Sequence, residues 1–158
     1  LPVLSHDDDT IEKVKLVSQL GATAAEFPVC LEAARAAKDC GMKVFMGAPN
    51  LIRGCSSNGH LRATDAVAES LCDGLLSDYY PECLIQSPFI AHKTLGIDLG
   101  NSLRLVTSNP GDYLSNLGAF GRLFPGAPAD VTVVDPSGPW CKVTQTWVDG
   151  RCGFRSDA

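Results

Sequence analysis

The sequence predicts an α/β protein of short parallel strands alternating with helices, on the plan of a TIM-type (β/α)8 barrel, with a small β appendage at the C-terminal end. Three observations carry that expectation. Strand-like and helix-like patterns alternate at a short period through the first half of the 158 residues. Gly21 and Gly41 punctuate that half at equivalent places. His6, Glu26, Asn50 and Asp78 stand at or just beyond the C-terminal ends of four successive strands, the end where a barrel gathers its chemistry. A doubly wound sheet also binds ligands at strand carboxyl ends, but it has no need of a histidine on one strand and an aspartate three strands later.

Leu1–Ser5 reads as an apolar strand. Asp9 then serves as helix N-cap with Glu12 three residues on, a capping-box spacing. Ile11, Val14 and Val17 form a helical stripe that Gly21 terminates. The second unit is a strand over Ala22–Phe27, a break at Pro28, and an alanine-rich helix from Cys30 to Cys40, closed by Gly41. The third strand, Lys43–Ala48, enters a long loop over Pro49–Arg62. A helix over Thr64–Cys72 and a strand over Gly74–Ser77 follow.

Beyond Asp78 the pattern changes. Glu82–Leu95 and Asn101–Ser108 read as helices, the second ended by Asn109-Pro110. A Gly/Pro-rich passage, Gly118–Pro128, leads to a strand over Asp130–Val134. Two further strands, Cys141–Trp147 and Val148–Phe154, turn around Asp149-Gly150. Trp140, Trp147 and Phe154 are expected to form the core of this appendage.

Composition narrows the function. With 45% hydrophobic residues the chain has the material for one cored domain. A net charge of −5 without any basic run excludes general nucleic-acid binding. The longest apolar stretches are too short to span a bilayer, and no charged n-region precedes an apolar one. The seven cysteines contain no C-x-x-C pair, which reads as reduced, mostly buried thiols in a cytoplasmic protein, with Cys55 in a polar loop as the exception.

His6 and Asp78 are the main candidates for chemistry. Imidazole and carboxylate ligands suit Zn²⁺ or Mn²⁺, and a carboxylate in such a site accepts the proton of an attacking water. Of the acidic run, Asp9 is expected to cap the helix, Asp7 is a candidate for facing the site, and Asp8 is open. Glu26 is open between metal ligand, substrate contact and structural carboxylate. The loop carrying Asn50, Arg53, Ser56, Ser57 and His60 offers backbone N–H groups and a guanidinium fork to phosphate oxygens, although it lacks the G-K-[ST] of a P-loop. His92, in mid-helix, reads as a surface or packing residue.

Four segments together carry a resemblance: Ser5-His6-Asp7-Asp8, Glu26-Phe27-Pro28, Met46-Gly47-Ala48-Pro49-Asn50-Leu51 with Arg53-Gly54, and Ser77-Asp78-Tyr79. In this order they resemble the phosphonate-metabolism branch of the amidohydrolase superfamily, the ribosyl-phosphonate triphosphate diphosphatases. Thr107-Ser108-Asn109-Pro110, Gly121-Arg122-Leu123, Pro125-Gly126 and Ala129-Asp130-Val131 resemble the superfamily's closing signature. The resemblance implies a metal-dependent hydrolase that cleaves a 5-triphosphate to a 5-phosphate and diphosphate. By it, residues 1–108 are the C-terminal half of the barrel and 109–158 the C-terminal β segment of a composite small domain. His6 becomes the fifth-strand metal ligand and Asp78 the eighth-strand carboxylate that binds metal and handles the water proton. Arg53 and the loop after Asn50 suit the triphosphate.

The sequence departs from that pattern at two places. Cys55-Ser56-Ser57-Asn58-Gly59-His60 stands where a Gly-Ser-His-Ser-Gly-Asn run is expected, so its histidine is displaced by three positions. The first-strand His-x-His pair and the mid-barrel Lys or Glu bridge are absent, so by resemblance strands one to four lie outside this chain and the N-terminal half of the barrel is a required partner. Two other readings stand beside this one: another amidohydrolase of the cyclic amidase or deaminase type, and an inert fragment or interaction module. A half barrel exposes two unpaired sheet edges. The isolated chain is therefore predicted to be poorly soluble, misfolded or a homo-oligomer, whereas a monodisperse, cooperatively unfolding monomer in size-exclusion chromatography and calorimetry would contradict this.

Overall fold

The structure is a computed structural model and describes residues 1–56, 58–114 and 120–156. Its first part is a four-stranded parallel sheet, β1 (Leu4–His6), β2 (Ala24–Glu26), β3 (Lys43–Gly47) and β4 (Gly74–Leu76), in the order β1-β2-β3-β4. The crossovers contain α1 (Ile11–Gln19), α2 (Leu31–Asp39), and the pair α3 (Ala48–Arg53) and α4 (Ala63–Ala68). Strand order follows chain order, without the reversal that defines a doubly wound sheet. Helices α5 (Cys83–Leu95), α6 (Leu99–Arg104) and α7 (Ser108–Tyr113) follow. The chain ends in an antiparallel sheet of β5 (Val131–Asp135), β6 (Lys142–Val148) and β7 (Arg151–Arg155).

Register assigns the two faces of the parallel sheet. Ser5 pairs with Ala25 and Ala25 with Val44, while Met46 pairs with Leu75. Ala25, Val44, Met46 and Leu75 are buried in one core with Val14, Ala33, Ala37, Leu51, Ala66 and Ala91. Small alanine side chains let the helices approach the sheet closely. The alternate residues, which include the register partners His6 and Glu26, occupy the opposite face. There Leu4 is exposed, while Phe45 is buried with its ring against Tyr113, centroids 5.2 Å apart.

Local chemistry explains most element ends. Gly21 and Gly41 have φ of 98° and 75°, the left-handed conformation that terminates a helix at low cost only in glycine. The cap of α1 differs from expectation: Thr10, not Asp9, is the N-cap, its hydroxyl accepting the Lys13 N–H at 3.2 Å. In α2 the Cys30 sulfur takes the same part, accepting from the Ala33 N–H. The segment expected as one loop from Pro49 begins instead as α3, with Pro49 in its first turn, where a missing N–H costs nothing. Similarly, Asn109-Pro110 does not end a helix but lies in the first turn of α7. Pro88 is inside α5, and Ser87 Oγ donates to the Leu84 carbonyl that the proline leaves unbonded.

The tail forms the three expected strands, and Asp149-Gly150 makes the β6–β7 turn with φ of 49° and 73°, as a type I′ hairpin requires. Part of the expected Gly/Pro-rich passage, Gly118 included, lies outside the described residues. The aromatic residues correct another expectation: Trp140 is 56% and Phe154 49% exposed, and Trp147 is half-buried. The three-stranded sheet leaves them largely uncovered. It is held to α5 by Gln86, whose side chain donates to the Cys141 carbonyl and accepts its N–H, both at 2.8 Å.

All seven cysteines are free. Burial pushes the Cys72 thiol up to about 12 and raises those of Cys83 and Cys141. In the folded protein at pH 8, Cys55 and Cys152, which are exposed, should react with an aromatic disulfide reagent. Cys72, Cys83 and Cys141 should react only after unfolding, as followed by mass spectrometry of the labelled peptides.

Candidate functional site

The C-terminal ends of the four parallel strands open into one cleft of about 140 Å³. Asp7 enters it after β1, Phe27 and Pro28 after β2, and Asp78 after β4. Gly47, Pro49, Asn50 and Arg53 come from the end of β3 and from α3. Ser56, Asn58, His60 and Leu61 close one side.

Asp7, Phe27 and Asp78 share an unusual backbone. Their φ angles are 52°, 54° and 52°, in the left-handed region that costs a residue with a Cβ about 1–3 kcal/mol. Each lies one or two residues past its strand, so the strain is concentrated on one edge of the sheet. Ladder-like bonds hold it: the Asp7 N–H donates to the Glu26 carbonyl at 3.0 Å, and the Phe27 N–H to that of Phe45 at 2.9 Å. Aspartate tolerates this conformation fairly well, phenylalanine poorly. The sequence marks Phe27 only through the Glu26-Phe27-Pro28 segment, not as a left-handed residue of the cleft.

His6 ends β1 beside the cleft. Its Nδ1 is 3.1 Å from Asp7 Oδ2, with both side chains more than half exposed, and its ring meets Phe27 edge-on at 5.4 Å. Glu26, its register partner, is half-buried and is not part of the cleft lining. Among the other residues singled out from the sequence, Asp78, Asn50, Arg53, Ser56 and His60 all line the cleft, and Ser57 lies outside the described residues. His92 is on α5, its Nδ1 2.7 Å from the Ile97 carbonyl.

Asn50 has a second task. Its Oδ1 accepts the Ala63 N–H at 2.9 Å and its Nδ2 donates to the Leu61 carbonyl at 3.5 Å, so it braces the connection from α3 to α4 at its far end. Arg53 donates to the Tyr79 hydroxyl at 2.8 Å, which links α3 to the segment after Asp78. Arg62, just outside, makes a paired contact with Asp65 at 2.8 and 2.9 Å that raises its already high pKa.

Sequence reasoning missed Lys13. Its ammonium donates to the carbonyls of His6 at 3.2 Å and Asp7 at 2.7 Å, and it lies 3.4 Å from Oδ1 of Asp8. Asp8 is fully buried, and its Oδ2 accepts the Ser5 hydroxyl at 2.5 Å. A lysine three residues after a helix cap ordinarily reads as surface, which is why it carried no signal.

The imidazole of His6 and the carboxylates of Asp7 and Asp78 are donors that Zn²⁺ or Mn²⁺ accept. Among the described residues no three His, Cys, Asp or Glu side chains gather into a metal-binding group. The residues therefore fit part of a ligand set and not a whole one.

No protein-family model matches the chain. It is 36% identical over 156 residues to the alpha-D-ribose 1-methylphosphonate 5-triphosphate diphosphatase of Escherichia coli (strain K12), covering 98% of this chain and 41% of that protein. The resemblance read from the sequence is thus borne out, and it falls on the C-terminal part of that relative. Among solved structures, an uncharacterized protein superposes with a TM-score of 0.68 at 18% identity, over 98% of this chain and 46% of the other. An amidohydrolase from Thermotoga maritima MSB8 superposes with a TM-score of 0.58 at 15% identity, over 99% and 44%. These two show a shared fold. The chain spans less than half the length of each of the three.

The brace made by Asn50 yields a direct test. Asn50→Ala leaves the Ala63 N–H, which lies in a buried residue, without its acceptor, and should lower stability by about 1–3 kcal/mol in urea denaturation. Asn50→Asp keeps an acceptor and should lose less.

Proposed function

We propose that this chain is the C-terminal half of a metal-dependent (β/α)8 hydrolase of the amidohydrolase superfamily, which cleaves a ribosyl phosphonate 5-triphosphate to the 5-phosphate and diphosphate. The observation that carries the reading is a convergence. Each of the four segments that resemble the diphosphatases, the ones around His6, Phe27, Asn50 and Asp78, contributes a residue to the same cleft. Level strand ends bring these residues together, and they carry strained backbone and carboxylates to the one face where a barrel gathers its chemistry.

In this reading the chain supplies one side of the active site and the preceding half of the barrel supplies the other. The open edge at β1 and the exposed face carrying Leu4 and His6 support that arrangement. His6 and Asp78, joined by ligands from the other half, would hold a divalent ion, zinc or manganese. When bound, the ion supplies positive charge against the charge that develops on the phosphoanhydride oxygens. Asp78 accepts the proton of the attacking water. Arg53, steadied by Tyr79, offers its guanidinium to the phosphate oxygens, with Ser56 and His60 beside it. Glu26, outside the cleft lining, serves structure or joins the ligand set completed by the other half. No helix among the described residues is long and apolar enough to cross a membrane, and the free thiols fit the reducing cytoplasm.

With this chain joined to the preceding half of its barrel, Asp78→Asn should reduce diphosphate release by a factor of about 10²–10⁴, the range for a lost general base, while substrate binding persists. Arg53→Ala should raise KM for the triphosphate substrate about tenfold or more, the cost of one charge-assisted hydrogen bond to phosphate. Unchanged binding in Arg53→Ala would favour the amide- or amine-cleaving alternative, because such a substrate gains little from a guanidinium.

A further inference from the structure

We infer that Ser5, Asp8 and Lys13 form a positioning device that sets the backbone of His6 and Asp7, and that Lys13 is its working part. The inference rests on the reading that His6 and Asp7 belong to the active site. Lys13 occupies the third position of α1 after its Thr10 cap, in the first turn, where the helix dipole disfavours a cation. Local preference therefore opposes a lysine there. What offsets that cost lies outside the helix: two carbonyls and one carboxylate, all belonging to the three residues that follow Ser5.

The carboxylate end is as unusual. Asp8 is completely buried, and Oδ1 has no hydrogen-bond partner, only the Lys13 ammonium at 3.4 Å. Its other oxygen takes the Ser5 hydroxyl at 2.5 Å, and its main-chain carbonyl takes the Val29 N–H at 2.9 Å. Asp8 therefore ties the end of β1, the first turn of α1 and the β2–α2 connection. Burying a carboxylate against a half-exposed lysine is a poor route to stability, since apolar residues of like volume often serve as well. Here the bonds end on the backbone of the residue holding the imidazole and of the left-handed residue beside it. A conflict between local preference and placement is the mark of a functional constraint. Lys13 is accordingly a positioning residue: it is not part of the cleft lining and acts through the carbonyls of His6 and Asp7.

The test is amide hydrogen exchange on the intact polypeptide that contains this segment. In Lys13→Met, exchange at Asp7 and Val29, whose N–H groups bond to Glu26 and Asp8, should quicken at least tenfold. Ala25 and Met46, in the core strands, should exchange as before, and Lys13→Arg should restore most of the protection. A uniform change over all four amides, or none at any of them, would overturn the inference. Should Lys13→Met fail to fold, Ser5→Ala removes the hydroxyl's short bond to Asp8, together with its longer contact to the Ala24 carbonyl at 3.3 Å, and is followed at the same four amides. Quickening confined to Asp7 and Val29 again supports the device, and a uniform or absent change again overturns it. Exchange does not depend on turnover. A local exchange pattern alongside intact hydrolysis in a His6→Ala variant would leave the positioning device standing and refute the assignment of the site.

Discussion

The in-register parallel pairing of β1 to β4 is the constraint on which the rest of the molecule depends. It aligns Ser5, Ala25 and Val44 toward the helices and His6, Glu26 and Phe45 away from them. A slip of one residue in any strand would exchange those faces, placing Glu26 in an alanine-lined core and Ala25 in the open. It would also displace the following residue from the cleft edge. The three strained residues, Asp7, Phe27 and Asp78, reach one cleft only because their strands end level with one another.

Much of this is legible in the sequence, and for identifiable reasons. The glycines at 21 and 41, the alanine-rich second helix and the Asp149-Gly150 turn each have a conformational requirement that few residues meet. Asp78 and Asn50 are conspicuous because polar residues at strand ends stand out against apolar strands, and Arg53 because it offers a cation in a polar segment. What escapes are features that depend on tertiary contact. Thr10 outcompetes Asp9 as cap because the chain turns one residue later. Asn109-Pro110 looks like a stop, yet proline is tolerated in a first turn. Lys13 is invisible because its partners are carbonyls, and every residue has one. Phe27 is invisible because a left-handed phenylalanine is dictated by its surroundings and not by its own preference.

The surface is consistent with a molecule that needs more protein around it. Among the described residues no strand pairs with the outer side of β1, while on the outer side of β4 the Leu75 N–H bonds to the Leu105 carbonyl at 2.8 Å. Leu16 on α1 and its C-cap Leu20 are exposed, as are Val3 and Leu4 at β1. The antiparallel sheet is uncovered enough to leave Val133, Val148 and Phe154 exposed. The same incompleteness extends to the cleft, where an imidazole and two carboxylates are present without a full set of ligands among the described residues. On the proposed reading, strands preceding β1 supply both a further wall and further donors.

The most direct test is anomalous X-ray diffraction, at the zinc and manganese absorption edges, from crystals of this chain joined to the preceding half of the proposed barrel. An anomalous peak is predicted within coordinating distance of both the His6 imidazole and the Asp78 carboxylate, its remaining ligands coming from the other half. A metal bound elsewhere, with His6 and Asp78 both outside its coordination sphere, would contradict a shared active site.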